Sequence, residues 1–499
     1  MSPVSCVVLT IKVRVSRSGP GSIAWCLPWT EKSMPPWRKS WKILSETRRK
    51  GQAEMETHES IALGIPNVHL PRRGTELAKW AVIACDQFTS QPEYWEKVKA
   101  VIGNSPSTLN LIFPEAFLGK PGEEERIRAI RAAMRDYLDR GLFEEYRGIV
   151  YVERQAGRQT RRGLVACVDL ERYDYTRGST SLIRASEGTI LERIPPRVKI
   201  RDGAPLELPH IMVLLDDPDD TVIGPLSGRR SGLSKLYDFD LMMDSGRLTG
   251  YGAGEKSLEQ GIIKALEKLA EPATFCKKYG LPPGTAVLLF VMGDGNHSLA
   301  TAKTIWEKTK QAAADKRAVM ASPLRQALVE LVNLHDPALV FEPIHRVLFG
   351  LQPGRNLLEE WGRSSQGCLS VHKVASLEKM KSAVDGQRGL PHKIGLVGQD
   401  GFQLVEVSAS GSNLPVGTLQ GFLDAFLTGK GAREVDYVHG TEPVVELGRK
   451  PGQMGFYLPA MDKRDLFKTV ILDGVLPRKT FSMGQAKEKR FYLEARKLS

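Results

Sequence analysis

Residues 291–303 read VMGDGNHSLATAK, and the reading of this stretch decides how the chain is organised. The apolar run Ala286 to Met292 predicts a short buried strand. It stops at Gly293-Asp294-Gly295, and a helical apolar pattern begins at Ser298. Strand, glycine turn and helix start place Asp294, Asn296, His297 and Ser298 at a helix N-terminus. Unpaired backbone N–H groups and the helix dipole gather anions there, phosphate above all. The same residues have a plainer reading, since Asp-Gly is an ordinary turn pair and Asn or Ser an ordinary N-cap. Neither the Gly-Lys-Ser/Thr of a Walker loop nor the GxGxxG of a dinucleotide turn is present.

Outward from this point, Glu255 to Leu269 predicts a helix ahead of the strand. Leu299 to Lys310 and Pro323 to Leu334 predict helices after it. Toward the N-terminus, Trp80–Cys85, Gly148–Val152, Gly163–Val168 and His210–Leu215 read as strands. Ser90 is placed to cap a helix with Pro92 in its first turn, and Glu123 to Leu142 reads as an amphipathic helix ending at Gly141. Toward the C-terminus, Gly367 to Gly411 carries short strands with a helix near Leu377 to Val384. Leu414–Leu427, Lys463–Leu472 and the charged tail Ala486–Leu498 read as helices. The expected fold class is α+β, without a βα alternation long enough for one doubly wound sheet. The expected divisions are an N-terminal α+β domain over 55–240, the glycine-turn region over 241–350 and a C-terminal α+β region over 351–499.

The 499 residues leave room for two to four domains, and 41% hydrophobic with 26% charged residues is a globular composition. No apolar run approaches the roughly 20 residues of a membrane helix. Six scattered cysteines form no CxxC pair, which argues against a zinc cage or a disulfide framework and for a reducing cytoplasm. The net charge of +12 suggests nucleic acid until its distribution is read. Residues 1–54 hold ten Lys or Arg against three acids, a net +7, and leave +5 for the rest. A body so nearly balanced lacks a nucleic-acid footprint. Those 54 residues also hold four of the eight tryptophans and show no helix or strand period. They lack a basic n-region and cleavage site, so they read as an upstream extension with Met55 as the natural start.

Eight motifs in order carry a resemblance. They include WAVIACDQFTSQPEYW (80–95), PSTLNLIFPE (106–115), IRASEGTILERIPPR (183–197), ELPHIMVLLDDP (207–218) and LYDFDLMM (236–243). GDGNHSLATAK (293–303), FEPIHRVLF (341–349) and LPRKTFSMG (476–484) complete the set. From about Ile61 onward the chain resembles the bacterial and archaeal family called domain of unknown function 1015. The glycine turn is also similar to the phosphate turn of ParB-type domains and of the free-serine kinases built on that fold. This second resemblance implies that the turn and the helix after it hold nucleotide phosphates. Asp294, Gly295 and His297 match that pattern in place. Asn296 stands where the first histidine is usual and Ser298 where an arginine is usual. Losing that arginine removes a bidentate phosphate donor, and Lys303, one turn on, is placed to supply charge instead.

The stretch 183–201 is densely charged, with Arg184, Glu187, Glu192, Arg193 and Arg197 among its residues. Phosphoryl transfer needs cations to offset phosphate charge and a carboxylate to deprotonate the attacking hydroxyl. Arg184 and Glu187, three residues apart, are spaced to act as a pair; the plainer reading is a solvated face of weak ion pairs. His210 and His345 read as structural histidines or acid–base groups. The scattered histidines show no metal-ligand spacing, so no protein metal site is expected. Mg²⁺ needs only one or two carboxylates beside phosphate oxygens, and Asp216, Asp217 and Asp294 are placed to supply them. Arg478-Lys479-Thr480 is a basic loop or a second anion contact.

Two functions fit. One is a phosphotransferase using ATP or ADP with Mg²⁺ on a small hydroxyl metabolite, free serine by fold analogy. In it Gly293 to Ser298, Arg184 and Lys303 bind phosphate, and Glu187, Glu192 and His297 are catalytic. The other is a non-catalytic protein that binds a nucleotide or phosphometabolite and switches a partner surface. A DNA-partitioning relative would carry a basic helix-turn-helix after the turn, and the balanced charge there favours a metabolite. Neither a nucleic-acid nor a membrane partner is expected.

Overall fold

The structure, a computed structural model, describes residues 55–386 and 388–499. The expected extension, residues 1–54, lies outside the described residues. The fold is mixed α and β, built on several sheets. The larger of the two main sheets runs Ser234–Asp240, Arg247–Gly252, Val150–Ala156, Gln159–Asp169, Gln326–Asn333, Met212–Leu215, Phe290–Asp294, Ile183–Arg184, Tyr173–Asp174. The expected boundary at 240/241 falls inside its first hairpin, where Ser234–Asp240 and Arg247–Gly252 pair antiparallel. A second sheet orders Leu369–Val374, Gly401–Val407, His392–Gly398, Gln453–Tyr457, Phe341–Phe349 and Glu434–His439, and Phe481–Met483 adds to Phe341–Phe349.

One pairing positions the site. Phe290–Asp294 lies parallel to Ile183–Arg184, with Phe290 opposite Ile183 and Val291 opposite Arg184. Parallel neighbours end at the same edge of a sheet, so the chain after Arg184 and the turn after Asp294 emerge side by side. Clefts outside the carboxyl ends of strands are where α/β sheets bind ligands.

The helix Asn296–Ala312 follows that turn. Leu299, Ala302 and Trp306 pack on the sheet face that carries Phe290 and Met292, beside Ile262, Ile263 and Leu266 of the helix Lys256–Leu269. Val150, Val152, Val165 and Leu328 cover the other face, against Trp80, Trp95 and Phe491.

Four local expectations are corrected. Residues 323–334 are not a helix: after a short turn, Gln326–Asn333 is a central strand, buried at every position. Ala327, Val329 and Leu331 face one core and Leu328 the other. The strand's polar residues Gln326, Glu330 and Asn333 are buried as well, and their helical spacing hides the strand period. No helix-turn-helix therefore follows the glycine turn, since Gln326–Asn333 and Phe341–Phe349 are strands. The charged tail is not a helix either. Phe491–Tyr492 pairs with Val82–Ile83, Arg496–Lys497 pairs with Leu206–Glu207, and Ala495 bridges His69. Its charges are buried in pairs: Arg490 with Glu330 and Glu494, and Arg496 with Glu207. In 80–85 only Val82–Ile83 is strand, because Leu77–Trp80 coils into a helical turn that sends the Trp80 indole N–H to the Leu493 carbonyl. Gln91, not Ser90, precedes the helix Pro92–Ile102, with Pro92 in its first turn as expected.

Among the described residues no helix is long and apolar enough to cross a membrane, and the four cysteines there are free.

Candidate functional site: a cationic cavity at the carboxyl edge of the sheet

Gly295 is the residue on which the site turns. Its φ of 78° is left-handed, which glycine adopts without strain. A Cβ there would also sit 3.1 Å from the Ile211 Cα. The helix therefore starts at Asn296 with Gly295 as its N-cap, one residue earlier than an Asn296 cap and three earlier than a Ser298 cap would place it. The Ser298 and Leu299 N–H groups both donate to the Gly295 carbonyl, 3.0 Å each. The Asn296 and His297 N–H groups precede any intrahelical acceptor.

That helix start opens into a cavity of about 1880 Å³, larger than the roughly 300–1,000 Å³ of a single small-ligand pocket. Gly293 to Ser298 line it together with Glu187, Glu192, Arg193 and Arg197 of the charged stretch, so the two segments do converge. The contacts are direct. The Asn296 amide donates to Ser186 Oγ at 3.3 Å, and the Ile190 N–H donates to His297 Nε2 at 3.3 Å.

The third wall is the segment Val475–Met483. The Leu476 N–H donates to the Ser186 carbonyl at 2.7 Å. Glu187 is bridged in parallel to Leu476, and its carboxyl faces the backbone N–H groups of Lys479 and Thr480. Burial pushes the Glu187 carboxyl up, against the pull of Lys479, those two amides and Arg346. A carboxyl raised in this way accepts a proton near neutral pH more readily than an exposed one.

His297 has the opposite character. Burial, and then the positive charges of Arg197, Arg193 and Lys479, push it down to about 4. The ring is neutral at pH 7, and Nε2 is already an acceptor for Ile190. The imidazole thus ties the 187–190 loop to the helix, with no free nitrogen lone pair for the catalytic role expected of it.

Asp294 is held by its neighbours. Burial opposes its charge, but Lys489 and His210 outweigh that and keep its carboxyl below the usual range. Lys489 Nζ lies 3.1 Å from Oδ2, and the Gly295 N–H donates to Oδ1 at 2.9 Å. His210 lines the cavity as well, with Nδ1 2.8 Å from the Tyr492 hydroxyl. Three cavity-wall atoms, Thr189 Oγ1, Asn296 Oδ1 and Tyr437 Oη, are buried without a partner in the protein. Buried polar atoms rarely stay unpaired, and such a cluster suits a polar ligand.

Some expected residues lie elsewhere. Arg184 is buried away from the cavity, where it donates to the carbonyls of Ser181 at 2.9 Å and Ala286 at 3.2 Å. Its guanidinium is taken up by these carbonyls, and no ion pair with Glu187 forms among the described residues. Lys303 donates to the Leu170 carbonyl at 2.8 Å and pairs with Glu307 at 2.7 Å, outside the cavity wall. Asp216 is engaged by His335, Lys278 and Tyr279, and Asp217 caps the Val222 N–H. Neither is free to bind a metal with Asp294. His345 is structural, buried with Nδ1 accepting the Leu458 N–H at 3.1 Å. Glu192 is exposed at the cavity rim.

The cations that line the cavity are instead Arg193, Arg197, Lys479 and Lys489, of which Arg197 pairs with Glu115 and Lys489 with Asp294. Lys479 belongs to a basic loop that stood out in the sequence. Nothing in the sequence marked Lys489, because it lies in a tail that reads as a helix.

Residues 69–426 match the family described as "Protein of unknown function (DUF1015)". The chain belongs to that family. Among curated proteins nothing matches this DUF1015 chain. Among solved structures it is similar to a free serine kinase in complex with AMP, at 11% identity and a TM-score of 0.34, over 66% of this chain and 90% of that one. It is also similar to a conserved hypothetical protein from Pyrococcus furiosus (11%, TM-score 0.32, 68% and 94%). A third is SbnI with a C-terminal truncation from Staphylococcus aureus (10%, TM-score 0.30, 64% and 82%). Likenesses this distant carry nothing about the ligand of this DUF1015 cavity.

Proposed function

We propose that this cavity binds the phosphates of a nucleotide, ATP or ADP, and transfers a phosphoryl group to the hydroxyl of a small metabolite. One observation carries the reading: an open helix N-terminus at Asn296 and His297 shares a cavity with a raised carboxyl, Glu187, and with Lys479. The phosphate chain lies against the two N–H groups, as in the ParB-type turns that the strand–turn–helix resembles. Lys479 and Arg193 offset its charge. Glu187 takes the proton of the acceptor hydroxyl. The acceptor oxygen attacks the terminal phosphorus, and the bond from phosphorus to the bridging oxygen breaks. Its electron pair leaves on the nucleoside diphosphate or monophosphate.

Mg²⁺ enters with the phosphates. Among the described residues no group of three or more His, Cys, Asp or Glu side chains is placed to hold a metal. Its ligands are then phosphate oxygens, water and at most a carboxylate such as Glu192 at the rim.

The test is a thermal-shift screen of the full chain with nucleotides and Mg²⁺, with Lys479→Ala as control. A nucleotide at 100 times its Kd adds about 2.7 kcal/mol of stability. A shift with one nucleotide that weakens in the variant supports the site, and no shift with any nucleotide overturns it. Glu187→Gln then separates the two functions. A phosphotransferase loses about 10²–10⁴-fold in turnover while binding survives. A non-catalytic regulatory protein shows the shift and has no turnover to lose.

A further inference from the structure

Arg346 is fully buried in the strand Phe341–Phe349, within a motif that the proposed reaction leaves unused. A buried charge is normally paired, because desolvation is expensive. Among the described residues no carboxylate lies within ion-pair distance of Arg346, and Glu187 and Asp424 act on it only through space. Its guanidinium instead donates to the Ile344 carbonyl, to the Arg478 carbonyl at 2.9 Å and to Gln420 Oε1 at 3.3 Å. It sits over the Tyr437 ring, 5.1 Å from the centroid.

The bond to the Arg478 carbonyl has a consequence at the other end of the same peptide. In a trans peptide the C=O and the N–H point in opposite directions. A guanidinium holding the carbonyl of residue 478 therefore aims the N–H of Lys479 away from itself. That N–H faces the Glu187 carboxyl. Lys479 itself is left-handed, with φ 55°, a conformation that a lysine keeps only where its surroundings impose it. Gln420 extends the support: its amide donates to Asp424 Oδ1 at 2.9 Å, and Asp424 in turn pairs with Arg478. Arg346 thus fixes both the peptide that meets Glu187 and the residue before Lys479.

We propose that Arg346 is a positioning residue: through the 478–479 peptide, and through its own charge behind it, it holds the Glu187 carboxylate and the Lys479 side chain in place. The assignment rests on Glu187 and Lys479 being the working groups of the site. Arg346 touches no ligand, and its role is to polarise and orient.

The test follows the titration of Glu187 in the full chain without any nucleotide. The signal is the infrared difference spectrum of ¹³C-carboxyl-labelled glutamate, assigned by subtraction of Glu187→Gln. The groups facing Glu187 are Lys479, with the amides of 479 and 480, and Arg346 behind them. His297, Arg193 and Arg197 lie on the facing elements and stay unchanged. Arg346→Met is expected to raise the proton affinity of Glu187 at least tenfold, and Arg346→Lys to restore most of the shift. If Arg346→Met does not fold, Gln420→Ala, which frees one arm of the guanidinium, is expected to give a smaller shift in the same direction. Titration of Glu187 at the wild-type pH in the folded Arg346 variant, or in Gln420→Ala where that variant does not fold, overturns the proposal. Because no nucleotide is present, the outcome is separate from the thermal-shift screen, which tests the function alone.

Discussion

Lys303 and Lys479 separate two readings of the same charge. Spacing in the sequence assigns the phosphate cation to Lys303, yet its ammonium is spent on the Leu170 carbonyl and Glu307. Lys303→Ala is therefore expected to leave nucleotide affinity within about twofold. Lys479→Ala is expected to weaken it about tenfold or more, since a hydrogen bond to a charged group is worth about 1.5–3 kcal/mol. Isothermal titration of both variants checks the pair. His297 makes a second prediction. Its pKa in the fold, about 4, lies below the ordinary value of 6.5. The unfolded chain then binds more protons between those values, so the contribution of this ring to stability is complete above pH 6.5 and lost as pH falls toward 4. His345, also pushed down to about 4 by burial and then Arg346, acts in the same direction. The melting temperature is expected to fall from pH 6.5 to 4.5, with a shallower slope in His297→Gln. A slope unchanged by that substitution removes His297 from the account.

The strand–turn–helix was legible because each of its parts has a local cause. An apolar run, a glycine free to adopt φ 78° and a helical stripe that begins at Leu299 need no distant partner to be recognised. Gly295→Ala is expected to lower stability by about 1–2 kcal/mol through the left-handed conformation alone. The approach to Ile211 adds to that. Nucleotide-dependent stabilisation should vanish with it, and chemical denaturation with and without ligand measures both effects. The strand Gln326–Asn333 and the tail were illegible for the opposite reason. The strand is buried on both faces, and its polar residues Gln326, Glu330 and Asn333 fall at a helical spacing, so periodicity misreports it. The tail has helical charge spacing, but its arginines are consumed by carboxylates far away in sequence, Glu330 and Glu207.

Those buried pairs bind the chain's end to its middle. Arg490 is flanked by Glu330 and Glu494, and the Tyr237 hydroxyl donates to Glu494 at 2.5 Å. Burial opposes the charge of Glu330, but Arg161 and Arg490 keep its carboxyl below the usual range. Arg490→Ala leaves two buried carboxylates without that partner and is expected to cost about 3–5 kcal/mol. Urea denaturation checks this, and a loss below 1 kcal/mol would show that the network is not load-sharing. The same assembly explains the site. Sequence alone determined the glycine turn, the helix after it, the mixed α and β character and the charged stretch 183–201, because local spacing encodes each of them. Only the tertiary structure decided that Phe290–Asp294 pairs in parallel with Ile183–Arg184, that Glu187 shares a cavity with the helix start at His297, and that Lys479 and Lys489 rather than Arg184 and Lys303 line that cavity. Strand partners and buried ion pairs are chosen by contacts between residues far apart in the chain, and no window of sequence contains both members.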